Sequence, residues 1–156
     1  MNLIDVISFL IIVIVTSCYI VVTRPREYEI ENLSFKLPYD FEIIPLYINR
    51  YGIRKNDETY CYIEFLISNK SQKEYEERIE HLTDFYDGIR KNKTINNIEW
   101  LNISEEYSGI GNSITQFYVA YVDSKYYEVR IENSFIPPFN DKDINMIINS
   151  LRIINK

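Results

Sequence analysis

The stretch TYCYIEFLISNKSQKEYEERIEHLTDFYDGIRKN, residues 59–92, changes its apolar period halfway along, and that change sets the fold class. In its first part Cys61, Ile63, Phe65 and Ile67 recur at every second position, the spacing of one face of a β-strand. After Ser71 the apolar residues Tyr75, Ile79, Leu82, Tyr86 and Ile89 fall three or four apart, which gathers them on one helical stripe. Ser71 followed by Glu74 has the spacing of a capping box, where each side chain takes a backbone N–H that the first turn leaves free. Gly88 and the run Arg90-Lys91-Asn92-Lys93 suit the end of that helix.

Short strands are expected on both sides. Upstream, YEIENLSFKLPYDFEIIPLYINRYGI reads as strands broken by turns, with Phe35 and Leu37 inward and Pro38-Tyr39-Asp40 as a break. Downstream, IEWLNIS and SITQFYVAYVD flank SGIGN, a hairpin turn, and Asp123-Ser124-Lys125 turns the chain into YYEVRIEN. There Tyr127, Val129 and Ile131 point one way, while Glu128, Arg130 and Glu132 are expected in water. After Pro137-Pro138, Asn140 or Asp141 caps a last helix carrying Ile144, Ile147, Ile148 and Leu151. The expected fold is α+β, a mainly antiparallel sheet packed with two helices behind an N-terminal transmembrane helix.

The membrane reading comes from residues 3–23, an apolar run interrupted only by Asp5 and closed by Arg24-Pro25-Arg26. At about 1.5 Å per residue it reaches the roughly 30 Å of a hydrocarbon core. Residues 1–26 are therefore expected to be a membrane or lipoprotein-signal segment, and residues 27–156 a single globular domain. Val15-Thr16-Ser17-Cys18 resembles a lipobox, which would make Cys18 an acylated first residue. Against that, the amino end has no Lys or Arg, and Tyr19–Val22 continue the apolar run. The favoured reading is one uncleaved, single-pass helix contacting membrane lipid. The arginines at its carboxyl end favour a cytoplasmic domain and acylation the opposite side, so the side is left open.

Composition narrows the function further. A net charge of −6 without a basic run leaves nothing to neutralise a row of phosphates, so nucleic acid is not an expected partner. With 46% hydrophobic and 26% charged residues, the chain is not a disordered tail. Abundant Ile, Asn, Lys and Tyr suit an AT-rich, bacterial source. Zinc wants three or four N, S or carboxylate ligands, and His81 with Cys61 does not make up that set. Gly109-Ile110-Gly111 precedes a strand, whereas a dinucleotide loop opens a helix. Asp141-Lys142-Asp143-Ile144-Asn145 begins like a calcium loop but has Met146 and Arg152 where Gly and Glu are needed. No cofactor and no metal is expected. His81 near Glu77 and Glu80 is an acid/base candidate, and Asp57-Glu58, Glu76-Glu77 and Glu105-Glu106 are candidate carboxylate pairs. No catalytic residue is assigned among them.

FKLPYDFEI, residues 35–43, resembles the F-x-x-P-x-x-[WF] opening of PsbP-like domains, with Phe41 where Trp is usual. DINMIINSLRI resembles their final helix and its Ser-aliphatic-basic close, here Ser150-Leu151-Arg152. The resemblance spans roughly residues 28–154 and implies a DcrB-like, membrane-linked domain that binds a protein rather than catalysing. Tyr60, Tyr62 and Tyr118 would emerge on an open sheet face suited to protein contact. The expected function is thus a tethered, non-catalytic binding module: an envelope accessory, an immunity protein or a chaperone-like partner. The alternative is a small membrane-anchored hydrolase using carboxylates. Two carboxylates in one cleft would favour the hydrolase, a flat tyrosine-rich face the binder.

Overall fold

Strands with apolar residues at successive positions need a cover on each face, and this chain supplies two different ones. The computed structural model describes residues 3–56, 63–86, 88–106, 114–133 and 141–154. Helix α1 (Leu3–Thr23) leads into β1 (Arg26–Ile30), β2 (Leu33–Leu37), β3 (Phe41–Tyr47), β4 (Arg50–Lys55) and β5 (Ile63–Asn69). Helix α2 (Gln72–Tyr86) crosses to β6 (Ile89–Ile95), followed by β7 (Ile98–Glu106), β8 (Ile114–Val122) and β9 (Lys125–Asn133). Helix α3 (Asp141–Ser150) and the short β10 (Arg152–Ile153) close the chain. The large sheet has seven strands in the order β3-β4-β5-β9-β8-β7-β6, with every neighbouring pair antiparallel. A three-stranded sheet, β1-β2-β10, lies apart from it.

The two faces of the large sheet are packed differently. On one, Ile63, Phe65 and Ile67 join Trp100, Tyr118, Tyr127, Val129 and Ile131. Leu33, Phe35 and Leu37 of the small sheet and Ile147, Ile148 and Leu151 around α3 complete that core, and the Phe35 and Phe65 rings stack at 4.6 Å. On the other face Ile79 and Leu82 of α2 meet Ile103, Phe117, Val119 and Tyr126. The small sheet therefore covers what was expected to be open. Its register also orients the tether. Asn32, in the β1–β2 turn, donates to the Tyr127 hydroxyl, and Glu31 pairs with Lys125. The same end carries the β3–β4 turn, where Ile67 N–H bonds the Asn49 carbonyl. Arg26 pairs with Leu37 at the far end of that ribbon, so α1 leaves the domain opposite the β3–β4 turn.

Local chemistry explains most boundaries. Ser71 N–H donates to Glu74 Oε2 at 2.8 Å, and Glu74 N–H donates to Ser71 Oγ at 3.3 Å, closing the expected capping box. The β6–β7 and β8–β9 turns place Asn96-Asn97 and Asp123-Ser124 at positive φ, the geometry of tight hairpins. Asn96 also ties the sheet to α3, its Nδ2 donating to the Leu151 carbonyl at 2.7 Å. Asp141 and Asp143 stand in the first turn of α3, where the helix dipole favours acids. Ser150 Oγ accepts from Lys36 N–H at 2.7 Å and so joins α3 to β2.

Two expectations are corrected. Ile89 does not belong to the α2 stripe; it opens β6 and is exposed, and the basic run follows it along that strand. The reason is Gly88, whose N–H bonds the Thr83 carbonyl and which passes so close to β7 that a Cβ would stand 2.6 Å from Ile103 Cγ2. Glu128 is not in water but 5% exposed, beneath α2. Residues 3–23 do form a helix, with exposed apolar side chains from Ile7 to Val15. Its described side chains run over Val6–Tyr19 and Thr23, and among the described residues no helix is long and apolar enough to span.

The capping box yields a pH signature. Hydrogen bonds from the Ser71 backbone and then its hydroxyl hold the Glu74 carboxyl below its ordinary value of 4.5. A carboxylate whose folded pKa is depressed contributes stability above its unfolded pKa and loses it as pH falls through the folded one. Urea unfolding of the protein and of Glu74→Gln should therefore differ at neutral pH, with the difference narrowing as pH falls below 4.5. A difference that stays constant down to acid pH would mean that the carboxylate is not the capping group.

Candidate functional site

A sheet of seven strands is about 29 Å wide at roughly 4.8 Å per gap, and one helix covers only about 10 Å of it. Helix α2 sits over β7, β8 and β9, so among the described residues no helix stands on the same face of β3, β4 and β5. Because paired residues of antiparallel strands share a face, the register lists what stands there. One row runs Gly52, Glu64, Arg130, Phe117 and the next runs Arg50, Leu66, Glu128, Val119. Glu42 and Arg54 extend the charged face towards the edge, joined at 2.7 Å. Gly52 puts no side chain over the floor, and the flank of α2 forms the wall.

The result is a cleft of about 250 Å³ between α2 and β4, β5 and β9. Arg50, Glu64, Arg78, Glu128 and Arg130 supply its charge, and Leu66, Leu82, Phe85, Tyr86 and Phe117 its apolar lining, with His81 on the helix side. Phe85 is 71% exposed although its ring contacts Tyr86 and His81.

Two kinds of ion pair share this space. Arg78 grips Glu128 with two hydrogen bonds, at 3.0 and 2.8 Å, and the Tyr126 hydroxyl donates to the same carboxylate. Burial opposes the Arg78 charge, but the Glu128 hydrogen bonds outweigh it and hold the guanidinium above its ordinary range. Burial first, and then the Glu128 charge, push the Tyr126 phenol up as well. The second kind is loose. Glu64 meets Arg50 at 3.7 Å and Arg130 at 3.9 Å, beyond hydrogen-bond length. Arg130 gives one Nη2 bond to Glu132, while its Nε is buried without a partner. Among the described residues the Arg50 side chain donates no hydrogen bond.

A second hollow, about 350 Å³, lies on the other flank of α2 between Tyr75, Asn92, Glu99, Leu101 and Tyr121. Its one acid, Glu99, is hydrogen-bonded by Asn92 at 2.6 Å, and no cation is among its lining residues. The first cleft is therefore the chemically richer site.

The residues singled out from sequence are scattered. Tyr60, Tyr62 and Cys61 lie outside the described residues, as do Asp57, Glu58 and the Gly109–Gly111 turn. Tyr118 is not on an open face: it is 8% exposed, in the core closed by the small sheet, and burial raises its phenol pKa. Cys18 stands exposed on α1 as a free thiol. His81 does line the cleft, but Glu77 pairs with Lys73 and Glu76 accepts from Gln72 along the outside of α2. Among the described residues no group of three or more His, Cys, Asp or Glu is arranged for a metal. The cleft arginines carried no local signal. Arg50 sits in a short strand and Arg130 in an alternating one, and only strand register brings them together.

Fold and cleft together define an α+β sandwich with an arginine-bearing groove beside its crossover helix. No family model matches the chain, and no curated protein matches it. Among solved structures it is similar to a protein of Bacteroides thetaiotaomicron VPI-5482, known from a crystal structure at 1.50 Å. The TM-score is 0.57 at 9% identity, covering 80% of this chain and 46% of the other. This chain thus spans about half the length of that relative, and the likeness is one of fold alone.

The Arg78–Glu128 clamp makes a testable claim on stability. Glu128→Gln should cost an amount toward the lower end of roughly 3–5 kcal/mol, because it strands a largely buried guanidinium. Replacing both partners, Arg78→Met with Glu128→Leu, should recover most of that loss in urea unfolding. A single-variant loss of only about 1 kcal/mol, the range of surface pairs, would show that α2 is not anchored there.

Proposed function

We propose that this protein is a membrane-tethered, non-catalytic protein-binding module of PsbP-like architecture, whose contact site is the cleft between α2 and the sheet. The observation that carries the reading is the pairing of under-used guanidinium donors on Arg50 and Arg130 with the exposed ring of Phe85. Exposed aromatics beside arginines are the composition of protein contact sites. Anchoring by residues 3–23 is supported by the exposed apolar side chains from Ile7 to Val15, which solvent would penalise. Because α1 leaves the domain opposite the β3–β4 turn, the exposed Tyr47 and Ile48 on that turn point away from the tether. An envelope accessory, an immunity protein or a chaperone-like partner would each use such a presentation.

A second reading has a specific observation behind it. Glu64 and Glu128 do share one cleft with His81, the arrangement a carboxylate hydrolase would want. Their occupancy speaks for binding instead. Glu128 spends its oxygens on Arg78 and Tyr126, and Glu64 stands between two guanidiniums. Hydrolysis by a carboxylate pair needs oxygens that face the substrate, and these are already turned to arginines.

Four measurements test the proposal. The protein should stay in the membrane fraction through a carbonate wash, and Leu10→Lys with Val13→Lys should release it. Its intact mass should match the uncleaved chain, whereas a lipid-bearing mass beginning at Cys18 would replace the helix by an acyl anchor. For the module itself, affinity capture of the full-length protein should retain a partner that Arg130→Gln loses. Hydrolysis of a glycoside or ester substrate panel that Glu64→Gln abolishes would move the protein to the enzyme class.

A further inference from the structure

Resting on the binding reading above, we propose that the α2–sheet cleft takes the free carboxyl terminus of a polypeptide that ends in an aliphatic or aromatic residue. The cleft places two recognition chemistries side by side. Arg50 on β4 and Arg130 on β9 flank Glu64 on the intervening β5, and Leu82, Phe85, Tyr86 and Phe117 form an apolar lining within the same 250 Å³. A guanidinium recognises a carboxylate through paired N–H donors, and these two have donors to spare. Among the described residues the Arg50 side chain makes no hydrogen bond, and the Arg130 Nε is buried without a partner. Glu64 is only a loose competitor, at 3.7 and 3.9 Å, so Arg50 can turn to a second carboxylate without breaking a side-chain hydrogen bond, while Arg130 keeps one Nη2 bond to Glu132 and has its other N–H groups to offer.

The apolar wall selects the kind of carboxylate. A terminal residue carries its carboxylate and its own side chain on one Cα, so both enter a small cleft together. An internal Asp or Glu brings the carboxylate but no apolar side chain of its own. The volume agrees, because it lies below the roughly 300–1,000 Å³ of small-molecule pockets and suits a chain end rather than a folded segment. Capture of a carboxyl terminus is an established mode of peptide recognition. The tightly held Arg78–Glu128 pair closes the floor and takes no part in binding.

The test uses the full-length protein in detergent micelles and fluorescence anisotropy of a labelled hexapeptide, Ser-Gly-Ser-Gly-Ala-Leu. The free acid should bind, and its carboxyl amide should bind at least about tenfold more weakly, the scale of a lost charged hydrogen bond. Arg50→Gln, at the more exposed of the two arginines, and Arg130→Gln should each weaken the free acid by a similar factor and leave the amide unchanged. Phe85→Ala should weaken the leucine-ended peptide and not one ending in glycine. Glu64→Gln should tighten the free acid, which a purely structural role for Glu64 would not do. Lys73→Gln, on the outer side of α2, serves as the control. Equal binding of acid and amide, stronger binding of an amidated peptide with an internal aspartate, full competition by acetate, or no binding up to about 1 mM would each overturn the inference. If a captured partner is lost with Arg50→Gln and Phe85→Ala but no peptide competes, the module reading stands and the chain-end ligand is wrong. If capture ignores every cleft substitution, the module reading itself falls.

Discussion

Glu128 stands in the middle of β9 with 5% of its side chain exposed, its two oxygens taken by Arg78 and one of them also by the Tyr126 hydroxyl. A charge in that position is tolerable only while its partners stay in place, because an unpaired buried carboxylate costs several kcal/mol. Helix α2 is thereby held to one place on the sheet: sliding it by a turn would part Arg78 from Glu128. The apolar contacts of Ile79 and Leu82 with Ile103, Phe117 and Val119 add attraction, but attraction of this kind tolerates small shifts. The directed pair does not.

The position of α2 in turn creates the cleft. One helix cannot cover seven strands, and the other face is already filled by the small sheet and α3. The strip over β3, β4 and β5, which no other described element covers, therefore meets solvent and carries charge in complementary pairs, Glu42 with Arg54 and Glu64 with Arg50. Where this strip runs under the edge of α2, charged floor and apolar wall meet. The same sheet thus holds a dry core on one face and, on the other, a border between packing and solvent where a ligand finds both chemistries.

The edges of the large sheet are guarded by ordinary means. Strand β6 is basic, with Arg90, Lys91 and Lys93, and β3 carries Pro45 beside a register shift, so neither offers a clean ladder to another chain. Recognition by strand addition is accordingly disfavoured, and the side-chain chemistry of the cleft is the feature left for a partner to read.

The sequence by itself determined the local elements. Period-2 alternation in residues 61–67 and 127–131, the Ser71–Glu74 box, the Asp123-Ser124 turn and the stripe from Tyr75 to Tyr86 all depend on neighbours along the chain, and all are found, Cys61 aside, which lies outside the described residues. The tertiary structure alone decided what lies over each face. Alternation assigned Glu128 and Arg130 to one side of β9 and Tyr118 to one side of β8, but carries no information about which layer packs there. Water was the default for Glu128 and an open face for Tyr118; α2 covers the first and β2 with α3 the second. The end of α2 was misjudged for a related reason, since Gly88 stops the helix through its approach to Ile103 in a strand yet to come. The cleft was illegible for the deepest reason. Arg50, Glu64, Arg78 and Arg130 are far apart in the chain, and only strand register and a buried ion pair bring their charges to one place.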